Sequence, residues 1–188
     1  MPDNFMDEKP PPFDVELHPH SPLWAGMADA ERARLKDALG DVLVDVEHIG
    51  STAIPGIKAK PIVDLIPLVT DLAALDARKD AVTALGYRWY GEYGLPGRRY
   101  CLLVDPATDK RKFQLHCWQV GDPQIARHLA FRDYLRAHPA IAKEYEAEKI
   151  RAASVVSHDV NLYNDEKNDW IKRAEKDALA WANLPPAP

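Results

Sequence analysis

The chain has 188 residues, of which 46% are hydrophobic and 28% charged, and a net charge of −5. This composition excludes a wholly disordered chain. No apolar run approaches the roughly 20 residues of a membrane span. The negative net charge argues against a protein that holds polymeric nucleic acid. Cys101 and Cys117 are too few for a disulfide scaffold, and the N-terminus lacks the features of a signal peptide. We therefore expect a cytoplasmic protein with reduced thiols and no membrane partner.

Proline-rich segments mark both ends of the chain. We therefore expect an extended tail over residues 1–13, one domain over residues 14–183 and a short tail over residues 184–188. Inside the domain, Ser21 followed by Pro22 is typical of a helix start, because serine caps the first turn and proline fits the first helical position.

The hydrophobic pattern alternates between strand and helix periods along the domain. Gly40 and Gly86 lie where predicted helices end, and Pro123 and Pro139 lie where later helices begin. In chain order the pattern predicts a helix over residues 22–39, strands over 42–49 and 62–69, a helix from Thr70 to about Leu85, strands over 99–104 and 112–120, and helices over 123–138, 139–152 and 162–182. This order predicts an α+β fold with a mixed sheet, flanking helices and a helical C-terminal third.

The densest polar segment surrounds the turn over residues 50–56. Gly50 lets the backbone approach a ligand, Ser51 and Thr52 add hydroxyl donors, and successive N–H groups there can cradle an anion. Asp64 follows inside an apolar strand, where a charge needs a partner, a metal or solvent. The spacing predicts an anion-binding loop beside a carboxylate. The plainer alternatives are an ordinary turn and a structural hydrogen-bond acceptor.

Further polar residues accompany Asp64 as candidates for catalysis or metal binding. His48 lies next to the turn, and His116 lies on a strand that can bring it towards Asp64; both are candidate catalytic residues, with a structural histidine as the alternative. Asp64 with Glu47 or His116 can hold one divalent cation, Mg²⁺, Mn²⁺ or Zn²⁺. Lys60, just before the Asp64 strand, is a candidate phosphate ligand.

Basic residues are concentrated in the second half of the domain. Residues 94–151 contain eleven Lys or Arg and seven Asp or Glu. Arg98 and Arg99 follow a tight Leu-Pro-Gly loop, and guanidinium groups bind phosphate or carboxylate in a bidentate manner. The pattern predicts a small anionic molecule or nucleotide as partner, with exposed arginines of no such role as the alternative.

Several segments of the sequence resemble one known family. The chain resembles GrpB-family proteins over roughly residues 14–175, in the segments HIGSTAIPGIKAKPIVDL, GEYGLPGRRY, QLHCW, RHLAFRDYLRAHP and EYEAEK, and more loosely at Tyr163 and Lys167. The resemblance implies a nucleotidyltransferase-like fold and relatives that form the C-terminal domain of some dephospho-coenzyme A kinases. The resemblance implies this fold and the location of a site more firmly than it implies any particular reaction.

The sequence departs from the wider nucleotidyltransferase pattern at the metal-binding carboxylates. Gly50, Ser51 and Asp64 match that pattern, but the second carboxylate is expected at position 66, on the same strand face, where the chain has Ile66. Gln114, His116 and Trp118 share a face of the later strand, and none is a carboxylate. The sequence therefore argues against two-metal nucleotidyl transfer.

Two functions remain open at this point. The first is a nucleotidyltransferase-like enzyme acting on a phosphate-containing substrate, in which Asp64 binds a cation or acts as a base while Ser51, Lys60 and an arginine hold phosphate. The second is a non-catalytic binding or accessory domain that keeps the cradle without the metal pair. The polar residues around one loop favour the first, and the absent carboxylates favour the second.

Overall fold

The structure is a computed structural model that describes residues 10–186. Backbone contacts divide the chain into two compact units. The first contains Leu23–Ile49 and Ile62–Asp122, together with Pro10 among the described residues. The second contains Pro11–Pro22, Gly50–Pro61 and the chain from Pro123 onwards.

The first unit is a five-stranded sheet with three helices. Its elements in chain order are α1 (Leu23–Leu39), β1 (Leu43–Ile49), β2 (Val63–Val69), α2 (Leu72–Asp76), α3 (Lys79–Ala84), β3 (Arg88–Trp89), β4 (Arg99–Val104) and β5 (Arg111–Gln119). The strand order is β1-β2-β5-β4-β3, in which β2 and β5 are parallel and the other neighbours antiparallel. The sheet is therefore mixed, as predicted.

The register of the strands puts Asp64 and His116 on the face of the sheet opposite a set of buried apolar side chains. Val46, Leu65 and Leu115 lie on one face and are almost completely buried. Asp64 and His116 lie on the opposite face and are only partly buried. Because side chains alternate along a strand, this second face collects the polar positions of three neighbouring strands. We call it the polar face of the sheet.

The second unit consists of the remaining helices and two short segments. Gly50–Pro61 begins with a single 3-10 turn at Ser51–Ala53. The helices are α4 (Pro123–Ala137), α5 (Pro139–Val155), α6 (Val160–Glu166) and α7 (Asn168–Trp181). Ile54 and Ile57 of the segment pack with Leu135 of α4 and Tyr145 of α5 in one apolar core.

Two predicted helices are each divided in the structure. The helix predicted from Thr70 to Leu85 is two helices, α2 and α3, and its cap is Asp71, whose carboxylate accepts from the Ala74 amide at 2.8 Å. α2 ends at Asp76, whose two carboxylate oxygens bind the Arg99 guanidinium at 2.6 and 2.7 Å. The break between α2 and α3 therefore coincides with an ion pair to a distant strand.

The helix predicted over residues 162–182 is also interrupted, at Lys167. The carbonyl of Glu166 accepts a hydrogen bond from the Arg151 guanidinium of α5 at 2.7 Å. The break between α6 and α7 thus coincides with a contact between the end of α6 and a side chain of α5. The start at Val160 is set by Asp159, whose carboxylate accepts from the Asn161 amide at 2.7 Å.

The α+β class and the helical C-terminal third are confirmed. The two-residue strand β3 was not predicted, because so short a segment has no periodic pattern. Both cysteines are buried free thiols. Within residues 10–186, no helix combines the length and the hydropathy that crossing a bilayer requires. The predicted tail residues 1–9 and 187–188 lie outside the described residues, whereas Pro10 is buried.

Candidate functional site

Asp64 and His116 form a pair on the polar face of the sheet. The Nε2 atom of His116 lies 3.5 Å from Oδ1 of Asp64. The exposed fractions of the two side chains are 17% for His116 and 28% for Asp64, so both are partly accessible to solvent. The predicted approach of His116 to Asp64 is confirmed. It follows from the parallel pairing of β2 with β5, which puts Asp64 opposite Gln114 and next to His116.

Arg98 extends this pair into a row of three side chains. Its Nη1 atom lies 3.4 Å from Nδ1 of His116, and its other nitrogens donate to the backbone carbonyls of Glu92 and Tyr93 at 3.2 and 2.5 Å. Arg98 is only 7% exposed. It forms no ion pair with a carboxylate of the described residues, and burial lowers the pKa of its guanidinium.

The order of donors along the row determines the ring hydrogen of His116. Arginine has only donors, so a contact of its Nη1 with Nδ1 requires a lone pair on that nitrogen. The ring hydrogen is then assigned to Nε2, facing the carboxylate of Asp64. In this arrangement His116 orients Asp64, and Asp64 is the group with acceptor capacity left for a ligand.

Tyrosine rings enclose the Arg98 side chain. The rings of Tyr93 and Tyr100 are stacked with centroids 5.0 Å apart, and the guanidinium carbon lies 4.9 Å from the Tyr100 centroid. The Tyr100 hydroxyl donates to Oε1 of Gln114 at 2.9 Å, and burial raises the pKa of that hydroxyl. Tyr93 has a φ of 45°, which is uncommon for a residue other than glycine. The loop before β4 is thus shaped to hold Arg98 on the sheet.

Other predicted residues lie away from this row. Arg99 and His48 are on the apolar face, where Arg99 is bound by Asp76. Glu47 is on the polar face, opposite Ile66 in the pairing of β1 with β2. Sequence spacing could not separate Arg98 from Arg99, because the strand register alone sends neighbouring side chains to opposite faces.

The geometry does not fit a pair of catalytic metal ions. Ile66 is completely buried at the position where the second carboxylate was expected. Within residues 10–186 there is no group of three or more His, Cys, Asp or Glu side chains placed to hold a metal ion. The groups in contact on the polar face are the Asp64 carboxylate and the His116 imidazole, which are too few to hold a pair of metal ions.

The predicted anion loop at Gly50 lies in the second unit. Gly50 has φ 71° and ψ −171°, a conformation that is essentially restricted to glycine. The Ser51 hydroxyl donates to the Tyr145 hydroxyl at 3.2 Å, and Thr52 is buried. The ammonium of Lys60 lies 5.4 Å from the Phe13 ring centroid and 5.2 Å from that of Tyr163.

Gly50→Ala is expected to destabilise the protein by about 1–3 kcal/mol, because a side chain strains this backbone conformation. Gly26→Ala is the matched control. Gly26 lies inside α1 with nothing within 4 Å of an added Cβ, so alanine should stabilise the helix by about 0.5–1 kcal/mol. Urea denaturation of the two variants measures both effects. A Gly50→Ala variant as stable as the Gly26→Ala variant would contradict the conformational argument.

Tyr163 and Lys167 were singled out from the sequence, whereas Lys149, a second cation beside a tyrosine ring, was not predicted. Lys149 is 2% exposed, and its ammonium lies 4.7 Å from the Tyr145 centroid. The ammonium of Lys167 lies 5.1 Å from the Tyr163 centroid. Both lysines follow their tyrosine by four residues, a spacing that brings side chains together on one helix face. The repetition of this Tyr-x-x-x-Lys pattern at Tyr145 was the signal that could have identified Lys149.

Comparison with known proteins places this chain among related sequences. The family profile described as GrpB protein matches residues 14–177. The UPF0157 protein YqkA of Bacillus subtilis is 41% identical over 171 residues, which are 91% of this chain but 49% of YqkA. The chain thus spans about half of that relative. The UPF0157 protein SCO7215 of Streptomyces coelicolor is 36% identical, over 86% of this chain and 83% of its own length.

Two further matches extend the comparison to a solved structure and to a named enzyme. The crystal structure of the conserved protein GrpB from Enterococcus faecalis has a TM-score of 0.83 at 37% identity, and the match covers 89% of this chain and 99% of that one. A dephospho-CoA kinase of Mycobacterium leprae is 28% identical, over 86% of this chain and 46% of the kinase.

Proposed function

This chain belongs to the GrpB family, and from that premise we propose that its polar face binds a phosphate-containing small molecule or nucleotide through Arg98. The observation that carries the proposal is that the positively charged Arg98 side chain is buried without an ion pair among the described residues. A guanidinium that is 7% exposed and has no carboxylate partner among the described residues is costly to bury. An anionic ligand supplies the missing counter-charge.

The surroundings of Arg98 support phosphate as the chemical group of that ligand. A guanidinium has five N–H donors, of which the contacts to Glu92, Tyr93 and His116 leave some for a ligand. Its planar fork matches two oxygens of a phosphate. The charges of Arg111 and Arg98 both act on Tyr100, which adds a second cation to the electrostatic surroundings of this ring.

Asp64 gives the same place a capacity for proton transfer. In the proposed complex its carboxylate accepts the proton of a ligand hydroxyl, while His116 holds the carboxylate in position through Nε2. Asp64 is the candidate catalytic residue, and His116 is a positioning residue. The chemistry we propose is proton transfer to Asp64. It does not include two-metal transfer, because the chain has Ile66 where that reaction needs a second carboxylate.

Binding without catalysis is the second candidate function. It is favoured by the buried Ile66 and by the match to less than half of a dephospho-CoA kinase, which is the arrangement expected of an accessory domain. This relative also suggests dephospho-CoA as a probe ligand. The two candidates share the Arg98 site and differ only in whether the bound molecule is converted to a product.

Isothermal titration calorimetry with inorganic phosphate, ATP and dephospho-CoA tests the binding site. We expect Arg98→Met to weaken binding by about 10–100-fold, the value of one or two charge-assisted hydrogen bonds, and Arg98→Lys to have an intermediate effect. Arg99→Met, which removes the neighbouring guanidinium paired with Asp76, should leave the affinity within a factor of two or so. Equal losses in the Arg98→Met and Arg99→Met variants would contradict the assignment.

Product analysis separates catalysis from binding. If the wild-type protein converts one of these ligands, Asp64→Asn should abolish conversion while its Kd stays close to the wild-type value. If the wild-type protein binds but forms no product, the accessory function is the correct one. If the wild-type protein binds none of these three ligands, both candidate functions are rejected.

A further inference from the structure

We propose that the second unit contains an anion-binding site of its own, in which Lys60, Lys149 and Lys167 bind a phosphoryl or sulfate group beside the rings of Tyr145 and Tyr163. The proposed function uses none of these residues. All of them belong to the second unit. The inference is therefore independent of the assignment of Arg98, and it can fail or succeed by itself.

Lys149 is the central group of this site. It is one of the four buried polar or charged residues within residues 10–186. Its ammonium donates to the carbonyl of Lys58 and faces the Tyr145 ring. It forms no ion pair with a carboxylate of the described residues. A buried ammonium with one neutral acceptor and a ring face keeps donors for an anion.

Two further ammonium groups converge on the neighbouring ring. Lys60 and Lys167 both place their nitrogen within 5.2 Å of the Tyr163 centroid. The charges of Lys60 and Lys167 also act on Lys149 and help to lower its pKa. The like charges of Lys60 and Lys167 disfavour the ammonium form of Lys149, and a bound dianion would offset that repulsion.

The charge of Glu146 acts on Lys149 and that of Glu148 acts on Tyr163, and both carboxylates also accept hydrogen bonds from other residues. Glu146 accepts from the ammonium of Lys143 at 2.8 Å and from the backbone amide of Lys58. Glu148 accepts from the guanidinium of Arg151 at 2.8 Å. Neither carboxylate forms a hydrogen bond or an ion pair with the Lys149 ammonium among the described residues.

The rings that support the lysines are rigidly packed. Tyr145 is stacked on Trp170 with centroids 5.1 Å apart and planes 12° apart, and its hydroxyl accepts from Ser51. Tyr163 is 1% exposed and packs in a core with Val15 and Ala152. A lysine held against a fixed ring loses less freedom on binding, and compact ammonium groups are suited to phosphoryl oxygens.

Proton binding by Lys149 links this site to pH. Burial, with the charges of Lys167, Lys60 and Lys143, lowers the pKa of Lys149 to about 7, against the raising effect of Glu146. Its ammonium is therefore present at mildly acidic pH and largely absent at alkaline pH. A bound anion favours the ammonium form, so anion binding should be stronger at lower pH.

Calorimetric titration with sulfate tests the site, because the charge of sulfate is constant over the relevant pH range. Each variant is made in the wild-type and in the Arg98→Met protein, so that binding at Arg98 is measured separately. We expect Lys149→Met to weaken sulfate binding at about pH 6 at least tenfold in both backgrounds. Lys176→Met, which removes an exposed lysine of α7, should have no such effect.

The pH profile gives a readout that a merely structural lysine would not change. In the Arg98→Met background, sulfate affinity should fall several-fold between about pH 6 and pH 8.5, and Lys149→Met should abolish this dependence. If circular dichroism shows that Lys149→Met does not fold, Lys167→Met and Lys60→Met replace it and should each weaken binding severalfold.

Parallel titrations with pyrophosphate and ATP identify the source of the anionic group. A loss of ATP affinity in Lys149→Met equal to the loss for sulfate assigns the site to a nucleotide phosphate, and a loss for sulfate and pyrophosphate alone assigns it to a free anion. Sulfate binding at wild-type affinity by a folded Lys149→Met variant would overturn the proposal. So would an affinity that does not change with pH in the Arg98→Met background.

Discussion

Ile66→Asp is expected to destabilise this protein by about 4 kcal/mol or more, because it removes a buried side chain and inserts a carboxylate in its place. Ile66 is completely buried, and its burial contributes about 1.5–3 kcal/mol. The effective cost of burying an unpaired carboxylate is several kcal/mol more. Since small proteins have a total stability of about 5–15 kcal/mol, this single substitution brings the chain close to unfolding.

The same variant shows whether position 66 faces the ligands of a metal site. Glu47 lies opposite Ile66, and Asp64 lies two residues earlier on the same face. Mn²⁺ should therefore recover part of the lost stability of Ile66→Asp and bind the wild-type protein weakly, at no more than one ion. Urea denaturation with and without Mn²⁺ measures both quantities.

Ile66→Val is the matched control for this substitution. It should cost about 0.5–1.5 kcal/mol and show no response to Mn²⁺. An Ile66→Asp variant as stable as the wild type would show that the side chain is not in the core. Two-site binding of Mn²⁺ by the wild-type protein would contradict the argument against paired metal ions.

Lys149→Met is expected to change how the stability of the protein depends on pH. In the folded protein Lys149 has a pKa of about 7, chiefly because it is buried, whereas an unfolded lysine titrates near 10.5. Between these values the unfolded chain holds a proton that the folded chain lacks. Unfolding then takes up a proton, so this residue makes the unfolding free energy rise as the pH rises.

The expected contribution between about pH 7 and pH 9 is on the order of 2 kcal/mol, at about 1.4 kcal/mol per pKa unit. The measurement is the difference in unfolding free energy between wild type and Lys149→Met at several pH values. That difference cancels the titration of all groups that the substitution does not affect. We expect it to shift in favour of the wild type as the pH rises, and a constant difference would show that Lys149 keeps its ordinary pKa.

Local sequence signals account for most of the elements in the fold. The strands β1, β2, β4 and β5 lie within one residue of their predicted bounds, because apolar and β-branched runs specify half-buried strands. The helix breaks at Ala77–Arg78 and Lys167 could not be predicted, since each accompanies a contact with a residue that is distant in sequence: Asp76 with Arg99, and the Glu166 carbonyl with Arg151.

The candidate site was predicted only in part. The period of two along a strand put Asp64 and Ile66 on one face and, with the pairing of β2 and β5, brought His116 to Asp64. The same period could not tell which of Arg98 and Arg99 faces His116. That choice depends on the register between β4 and β5, which pairs Arg99 with Cys117.

The sequence by itself determined the α+β class, the family and the absence of a second carboxylate at position 66, because these depend on local patterns and residue identities. Only the tertiary structure decided the charge environment of each cation. Among residues 10–186, Arg98 and Lys149 are buried without an ion pair, whereas Arg99 is paired with Asp76. Burial and pairing depend on the elements packed around a side chain, and the sequence of one element does not contain that information.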